Sequence, residues 1–392
     1  MKFLRTASTK RLLAVIAGAV AVIAAGTAIA VAASGPGPVP PKKSLAAAVH
    51  TAISAPSPQA ISARISFSNH LIDASDIQGS DPILNGASGR LWVTSNQLRL
   101  ELQGNNGDAQ VVVNGNSFWV YDPTSNTAYE GKLPAEGTAK SNGSQEAIPS
   151  VTQIQSEITR LMDHVNLSGA IPGDIAGQPA YTVQISPQHA GGLLGSAQLA
   201  WDALRGVPLR VAVYARNDNS PVLELKATKI SYGPVPGSTF TMSPPSGAKV
   251  VTVSTPTGSG HARRAGKHAE VSGVAAVARH LSFPLVAPNK LVGLQRQSVM
   301  LLDWAGSPAA LLTYGQNAGA IAVIEQRSDQ SAPSSSGDHQ GLNLPTVSIN
   351  GATGQELDTA LGTMVRFTRG GVSYTVVGSV PPTAAEVAAR AL

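Results

Sequence analysis

The stretch Ile61-Ser62-Ala63-Arg64-Ile65-Ser66-Phe67-Ser68 alternates strictly, apolar at Ile61, Ala63, Ile65 and Phe67 and polar between them. A period of two sends successive side chains to opposite faces, so this segment reads as a half-buried β-strand. Leu98, Leu100 and Leu102 alternate with Arg99, Glu101 and Gln103 in the same way, and 89–94 supplies a strand just before them, joined through the turn Ser95-Asn96-Gln97. Strands at 111–113, 118–121 and 127–130 follow, separated by Asn114-Gly115 and by Pro123 to Asn126. Short apolar runs bounded by turn residues make an antiparallel meander.

The rhythm breaks at 150–165, where Val151, Ile154, Ile158, Leu161 and Val165 recur at helical spacing and Ser150 is available as N-cap. A short helix is also expected at 44–54. Strands resume at 180–186, 197–203, 209–214 and 222–232, and the unit closes near Val251. Beyond it, Val271, Val274, Ala275 and Ala278 open a second unit with a short helix, and 383–392 closes it with another. Strands are expected between them at 291–302, 309–314, 320–326, 346–350, 364–368 and 373–378. The fold class is therefore α+β, mainly antiparallel β.

The 392 residues exceed what one hydrophobic core usually fills, so two folded units plus tails are expected. Only 13% of residues are charged; with 39 Gly and 27 Pro, that composition suits strands and turns better than salt-bridged helices. The absence of cysteine excludes disulfides, Cys-ligated zinc, iron–sulfur clusters, thiol catalysis and cysteine-linked lipid anchors. The net charge of +5 comes from Lys2, Arg5, Lys10, Arg11, Lys42, Lys43, Arg263, Arg264 and Lys267, which leaves the rest of the chain acidic overall. No basic face is expected on the folded parts, and nucleic acid is not an expected partner.

The basic start is followed by an uncharged run from Leu12 to Ala33, about 22 residues against the roughly 20 that span a bilayer core. Residues 1–33 read either as an N-terminal membrane anchor or as a signal peptide cleaved near Ala30 or Ala33. The preceding cations place the remainder on the extracytoplasmic side. Residues 34–43 form a Pro- and Gly-rich stalk, 44–253 the first unit, 254–269 a basic linker and 270–392 a smaller β-rich unit; Ser328 to His339 reads as a long loop.

Templates for catalysis are missing: there is no Gly-x-Ser-x-Gly, Walker loop, His-Glu-x-x-His or Gly-x-Gly-x-x-Gly after a strand. The eight histidines never pair at ligand spacing on one element, and Asp73, Asp76 and Asp81 lack the spacing of a calcium loop. Neither catalytic nor metal residues are assigned, and no cofactor is expected. What stands out instead is apolar: Trp92, Phe118, Trp119 and Tyr121 lie in strands with apolar neighbours on both sides. Either helices cover one face, or part of a concave face lines a cavity for an apolar ligand.

Gly89-Arg90-Leu91-Trp92-Val93 and Asn114-Gly115-Asn116-Ser117-Phe118-Trp119-Val120-Tyr121-Asp122-Pro123 resemble two adjacent strand motifs of the LolA lipoprotein-carrier family. Phe240-Thr241-Met242-Ser243-Pro244-Pro245-Ser246-Gly247 is similar to its closing segment. The resemblance covers about residues 44–252. It implies an unclosed β-barrel capped by helices whose concave face holds acyl chains, as in the wider superfamily with RseB and the mycobacterial LppX and LprG lipoproteins. The family's latch arginine is replaced here by Ser95, after Thr94, while Arg99 and Asp122 keep family-like positions. The C-terminal third resembles small β-rich modules of bacterial membrane-attached regulators.

Taken with the alternation, the resemblance implies a non-enzymatic lipid- or lipoprotein-binding protein of the bacterial cell envelope. The alternative it implies is an RseB-like sensor acting on a membrane regulatory protein. Expected lining residues are Ile65, Phe67, either Leu91 and Val93 or Trp92 as register decides, Leu98, Leu100, Val112, Phe118 and Trp119, with Ile154, Ile158 and Leu161 laid over them from the helix. The expected partners are acyl chains, the cytoplasmic membrane and a membrane regulator.

Overall fold

Period-two alternation dominates the structure as it does the sequence. A computed structural model describes residues 39–72, 86–104, 107–123, 125–133, 149–189, 191–241, 243–253, 271–304, 307–328 and 344–392. The leader at 1–33, the linker at 254–269, residues 34–38 of the stalk, and Asp73, Asp76 and Asp81 lie outside the described residues.

The large sheet is built from β1 (Ala60–Asn69), β2 (Ala87–Thr94), β3 (Gln97–Gly104), β4 (Gly107–Asn114), β5 (Ser117–Asp122), β6 (Thr127–Lys132), β7 (Val165–Leu167), β8 (Ile171–Ile175), β9 (Gln178–Pro187), β10 (Leu194–Asp202), β11 (Pro208–Ala215), β12 (Pro221–Tyr232) and β13 (Lys249–Val253). Its order is β13-β6-β5-β4-β3-β2-β1-β12-β11-β10-β9-β7, with β8 on β9. All pairings are antiparallel except β13 on β6. The order does not close on itself, and the sheet curls into a half-barrel.

Helix α1 (Leu45–Ser54) begins at Ser44, whose hydroxyl accepts the Ala47 N–H at 3.2 Å. Its Leu45, Ala48, Val49 and Ala52 pack on Tyr181, Val183, Leu199 and Trp201 of β9 and β10. Gly206 lets its C-terminal turn approach: at φ +68° it takes a left-handed conformation, and a Cβ there would stand 2.4 Å from the Ala52 carbonyl oxygen. Helix α2 (Val151–Leu161) starts with a complete capping box between Ser150 and Gln153. It ends at Leu161, four residues earlier than the helical spacing predicts, because Val165 enters β7 and pairs with Pro187.

A second sheet has the order β14-β15-β16-β17-β21-β20-β19-β18. Its strands are β14 (Lys290–Leu291), β15 (Leu294–Trp304), β16 (Ser307–Tyr314), β17 (Ile321–Arg327), β18 (Thr346–Ile349), β19 (Ala352–Thr359), β20 (Gly362–Arg369) and β21 (Val372–Gly378). Helices α3 (Val274–Ala278) and α4 (Pro382–Arg390) pack against it. Its apolar core draws only on residues from Val271 onward, whereas the cores of the large sheet draw only on residues up to Val253. The two sheets touch where the Ser379 hydroxyl and carbonyl accept the Leu193 N–H at 2.9 and 3.0 Å.

Candidate functional site

Cross-strand register sorts the large sheet into one apolar and one polar face. Opposed residues share a face. Ile61 opposes Val93 and Ala63 opposes Leu91; Leu91 opposes Leu100 and Val93 opposes Leu98; Leu100 opposes Val111; Val113 opposes Phe118 and Val111 opposes Val120. In the other direction Phe67 opposes Leu225, Leu225 opposes Val211, Val211 opposes Leu199, and Leu199 opposes Val183. An apolar surface therefore runs unbroken from β5 to β9, and α1 lies on it. This is the inner face of the curl.

Only part of that surface is sealed. Ile61, Ile65, Leu98, Val111, Phe118 and Val120 are buried, while Phe67, Leu91, Val93, Leu100, Leu102 and Leu225 are half-buried and Val211 is 42% exposed. The half-buried Leu91, Val93, Leu100, Leu102 and Leu225 pack beside the buried residues, and Val211 leaves the β11 part of the face open to solvent.

Of the expected lining residues, Ile65, Phe67, Leu91, Val93, Leu98, Leu100 and Phe118 come together on the inner face. Trp92, Val112 and Trp119 do not. They occupy the outer face, where Val112 opposes Trp119 and Trp92 opposes Arg99. The reason is the pleat: Leu91, Trp92 and Val93 are consecutive, as are Phe118 and Trp119, so neighbours must point oppositely. Trp119 stacks on Tyr121 with centroids 5.9 Å apart, in a small outer core with Val112 and Ala128.

The helix is placed differently from expectation as well. Its main packing partner is α1 rather than the central strands. Ile154 is buried, Ile158 is half-buried, and Leu161 is 47% exposed. The expected lid through all three residues is thus corrected to a contact made chiefly by Ile154. Sequence reasoning also left out the half of the inner face on β9 to β12, although Val183/Ile185, Val211/Val213 and Leu223/Leu225 carry the same alternation signal.

One end of the inner face is closed by a buried polar knot. Asp202, fully buried, accepts the N–H groups of Leu204 and Arg205 at 2.8 and 3.0 Å on one oxygen. Its other oxygen accepts Arg205 Nη1 at 2.9 Å and the Tyr232 hydroxyl at 2.8 Å. Burial, followed by the adjacent Asp202 charge, pushes the Tyr232 phenol far above its ordinary range, so it remains a donor. Both Asp202 oxygens are occupied, while the buried Arg205 Nε has no hydrogen-bond partner among the described residues.

The outer face carries charge. Glu101 is bridged by Arg90 at 3.2 Å and Arg99 at 2.6 Å, and Arg99 Nη1 also donates to the Thr239 carbonyl at 2.9 Å. Arg99 is therefore a tie between β3 and the 3₁₀ turn Gly237–Phe240, not a free surface charge. Burial alone would raise the Glu224 pKa, but hydrogen bonds from Lys226 and Arg210 outweigh it and hold the carboxylate below its usual range.

Two hollows border the large sheet. One of about 530 Å³ lies at the sheet edge beside Val112, Phe118, Trp119, Glu130, Lys132 and Phe240, and one of about 290 Å³ between His164, Ile185, His189, Leu194 and Ala318, so that the first touches the inner face through Phe118 and the second through Ile185. Among the described residues no group of three or more His, Asp or Glu could hold a metal ion, and no helix is long and apolar enough to cross a membrane.

Among solved structures, the chain is similar to the MucA/MucB complex of Pseudomonas aeruginosa, at 15% identity and a TM-score of 0.39, over 88% of this chain and 94% of that one. MucB in complex with MucA(peri) matches at 14% identity and a TM-score of 0.39, over 84% and 91%. A LolA superfamily protein from Nitrosomonas europaea matches at 10% identity and a TM-score of 0.20, over 51% of this chain and 99% of that one. No protein-family model and no curated protein matches the sequence. The chain's own strand order and register describe an unclosed antiparallel half-barrel with a helix on its apolar side.

Proposed function

We propose that the protein is a non-enzymatic, extracytoplasmic binder of acyl chains, taking lipid or lipoprotein on the inner face of the half-barrel. The observation that supports this reading is the unbroken apolar surface from β5 to β9, on which α1 packs at the β9–β10 end. Affinity would come from burial of methylene groups, worth about 0.8 kcal/mol each. Residues 1–33 would hold the chain at the outer surface of the cytoplasmic membrane or be removed on export.

A sensor role is the second reading, favoured by one contact. Leu193, in the turn between β9 and β10, is hydrogen-bonded to Ser379 at the end of β21. A ligand that moves this rim of the half-barrel would be felt in the second sheet, where a membrane regulatory protein could read it.

Native mass spectrometry of the full chain, purified in mild detergent from its own envelope, tests binding directly. A copurifying acyl lipid is expected, together with retention of a fluorescent fatty-acyl probe. Leu100→Arg should abolish retention with little change in melting midpoint, because a half-buried site lets the long side chain reach water. A wild-type chain with neither lipid nor probe would overturn the reading.

A further inference from the structure

The outer face of the sheet collects cations that are far apart in sequence. Arg64 on β1 directly opposes Lys229 on β12 on one side and Arg90 on β2 on the other. Neighbouring strands are about 4.8 Å apart, so this row places three positive groups within roughly 10 Å. On the same face Arg210 opposes Lys226, and Arg99 lies two residues from the start of β3.

The carboxylates on this part of the face do not neutralise it. Glu101 is shared by Arg90 and Arg99, and Glu224 by Arg210 and Lys226, each of the latter pair at 2.7 Å. Arg64 and Lys229 are exposed and make no ion pair among the described residues. Like charges directly opposed across strands destabilise a sheet. Within the row only Arg90 has a carboxylate partner, Glu101; among the described residues none offsets Arg64 or Lys229, so an external anion is the natural counterpart.

The surroundings of the row narrow the choice of anion. Ser62, Ser66, Ser88 and Ser231 share its face. Trp92, at its edge, is capped by the guanidinium groups of Arg90 and Arg99 at 5.5 and 5.9 Å from the ring centre. A protein partner is held chiefly by apolar and aromatic anchors in desolvated pockets; here the aromatic beside the row, Trp92, already has two guanidinium groups over its ring, and the residues flanking Arg64 on this face are hydroxyls. A charged lipid surface requires no such anchor and attracts each nearby Lys or Arg by an amount equal to about fivefold in binding. We infer that this face docks on anionic phospholipid headgroups, with Lys229, Arg64 and Arg90 against the phosphates. The assignment goes beyond acyl-chain binding and uses the opposite side of the sheet.

The absence of cysteine makes the test simple. A Ser66→Cys chain, otherwise full length, is labelled with a fluorophore and reconstituted into vesicles of phosphatidylcholine alone or with phosphatidylglycerol, each containing a headgroup spin-labelled lipid as quencher. Quenching is expected only with phosphatidylglycerol and only at low salt. Arg64→Gln with Lys229→Gln should lower the docked-to-undocked ratio about thirtyfold. Melting midpoint and acyl-probe retention should be unchanged in that variant, which separates this result from the binding role of the inner face. Equal quenching on phosphatidylcholine, or quenching undiminished in the double variant, would overturn the inference. So would a label that ignores the vesicles but responds to added polyglutamate, which would point to an acidic polypeptide. Joint loss of quenching, probe and melting midpoint would assign the two cations to fold stability and overturn it too.

Discussion

Glu325 gives the second sheet a stability that should fall as pH rises. In β17 the core-facing residues are Ile321, Val323 and Glu325, so the alternation that builds the core delivers a carboxyl group into it. Glu325 is fully buried; one oxygen accepts the Val286 N–H at 3.0 Å, and the other has no hydrogen-bond partner. Burial raises its pKa from 4.5 to about 7, with the Val286 hydrogen bond opposing. The folded state therefore holds the proton more tightly than the unfolded chain does. Below 4.5 both states are protonated and no penalty exists. It grows as pH climbs through this interval and is complete above about 7. A rise of that size corresponds to about 3 kcal/mol. Glu325→Gln removes the charge while keeping an oxygen for Val286. Calorimetric melting of the full chain at about pH 5 and about pH 8 is the assay, and the wild-type-minus-variant difference isolates this group from others that titrate in the same range. Near pH 5, where only the first part of the penalty has developed, the two chains should differ by less than about 1 kcal/mol. Near pH 8 the variant should be the more stable, by up to about 3 kcal/mol. A difference that does not change between the two pH values would refute the reasoning, since Glu325 would then be ionised or protonated throughout.

Two further outcomes follow from the half-barrel. Asp202→Ala should cost about 3–5 kcal/mol, because it strands the buried Arg205 guanidinium and leaves the Tyr232 hydroxyl without its acceptor; urea unfolding measures this, and a loss below about 1 kcal/mol would show that the knot is replaceable. Gly206→Ala should destabilise the chain and loosen α1, since the new Cβ combines a left-handed backbone with a clash on the Ala52 carbonyl; hydrogen exchange of the α1 amides reads it, and unchanged protection would contradict the close packing.

How much of this was legible in the sequence depends on the range over which each signal acts. Period-two alternation is local, so β1, β3, β5 and the second-sheet strands β15 to β18, β20 and β21 stand near their expected places, whereas β19 has no expected counterpart and β14 is split from β15. The division of faces was also latent in the sequence. Alternation separates Leu91 and Val93 from Trp92 without saying which of them faces inward, and Phe118 and Trp119 are both among the expected lining residues although neighbours on a pleated strand cannot share a face. Pairing over distance was not legible. The parallel addition of β13 to β6 joins segments more than a hundred residues apart, and the capping box of α2 does not say whether the helix packs on strands or on α1. Charge shows the limit most clearly. Counting cations along the chain leaves the folded part acidic and predicts no basic face. Register overturns that expectation, because Arg64, Arg90 and Lys229 are dispersed in sequence but adjacent across three strands. The bulge between Arg64 and Ile65 decides the outcome. It skips Thr228, setting Lys229 opposite Arg64 while Ala227 opposes Ile65. Without that one-residue shift the cation on β12 would no longer oppose Arg64, and continuing the Ile65 pairing would place Thr228 there instead. A bulge thus keeps the inner face apolar on both sides of it while aligning the charged row on the outer face.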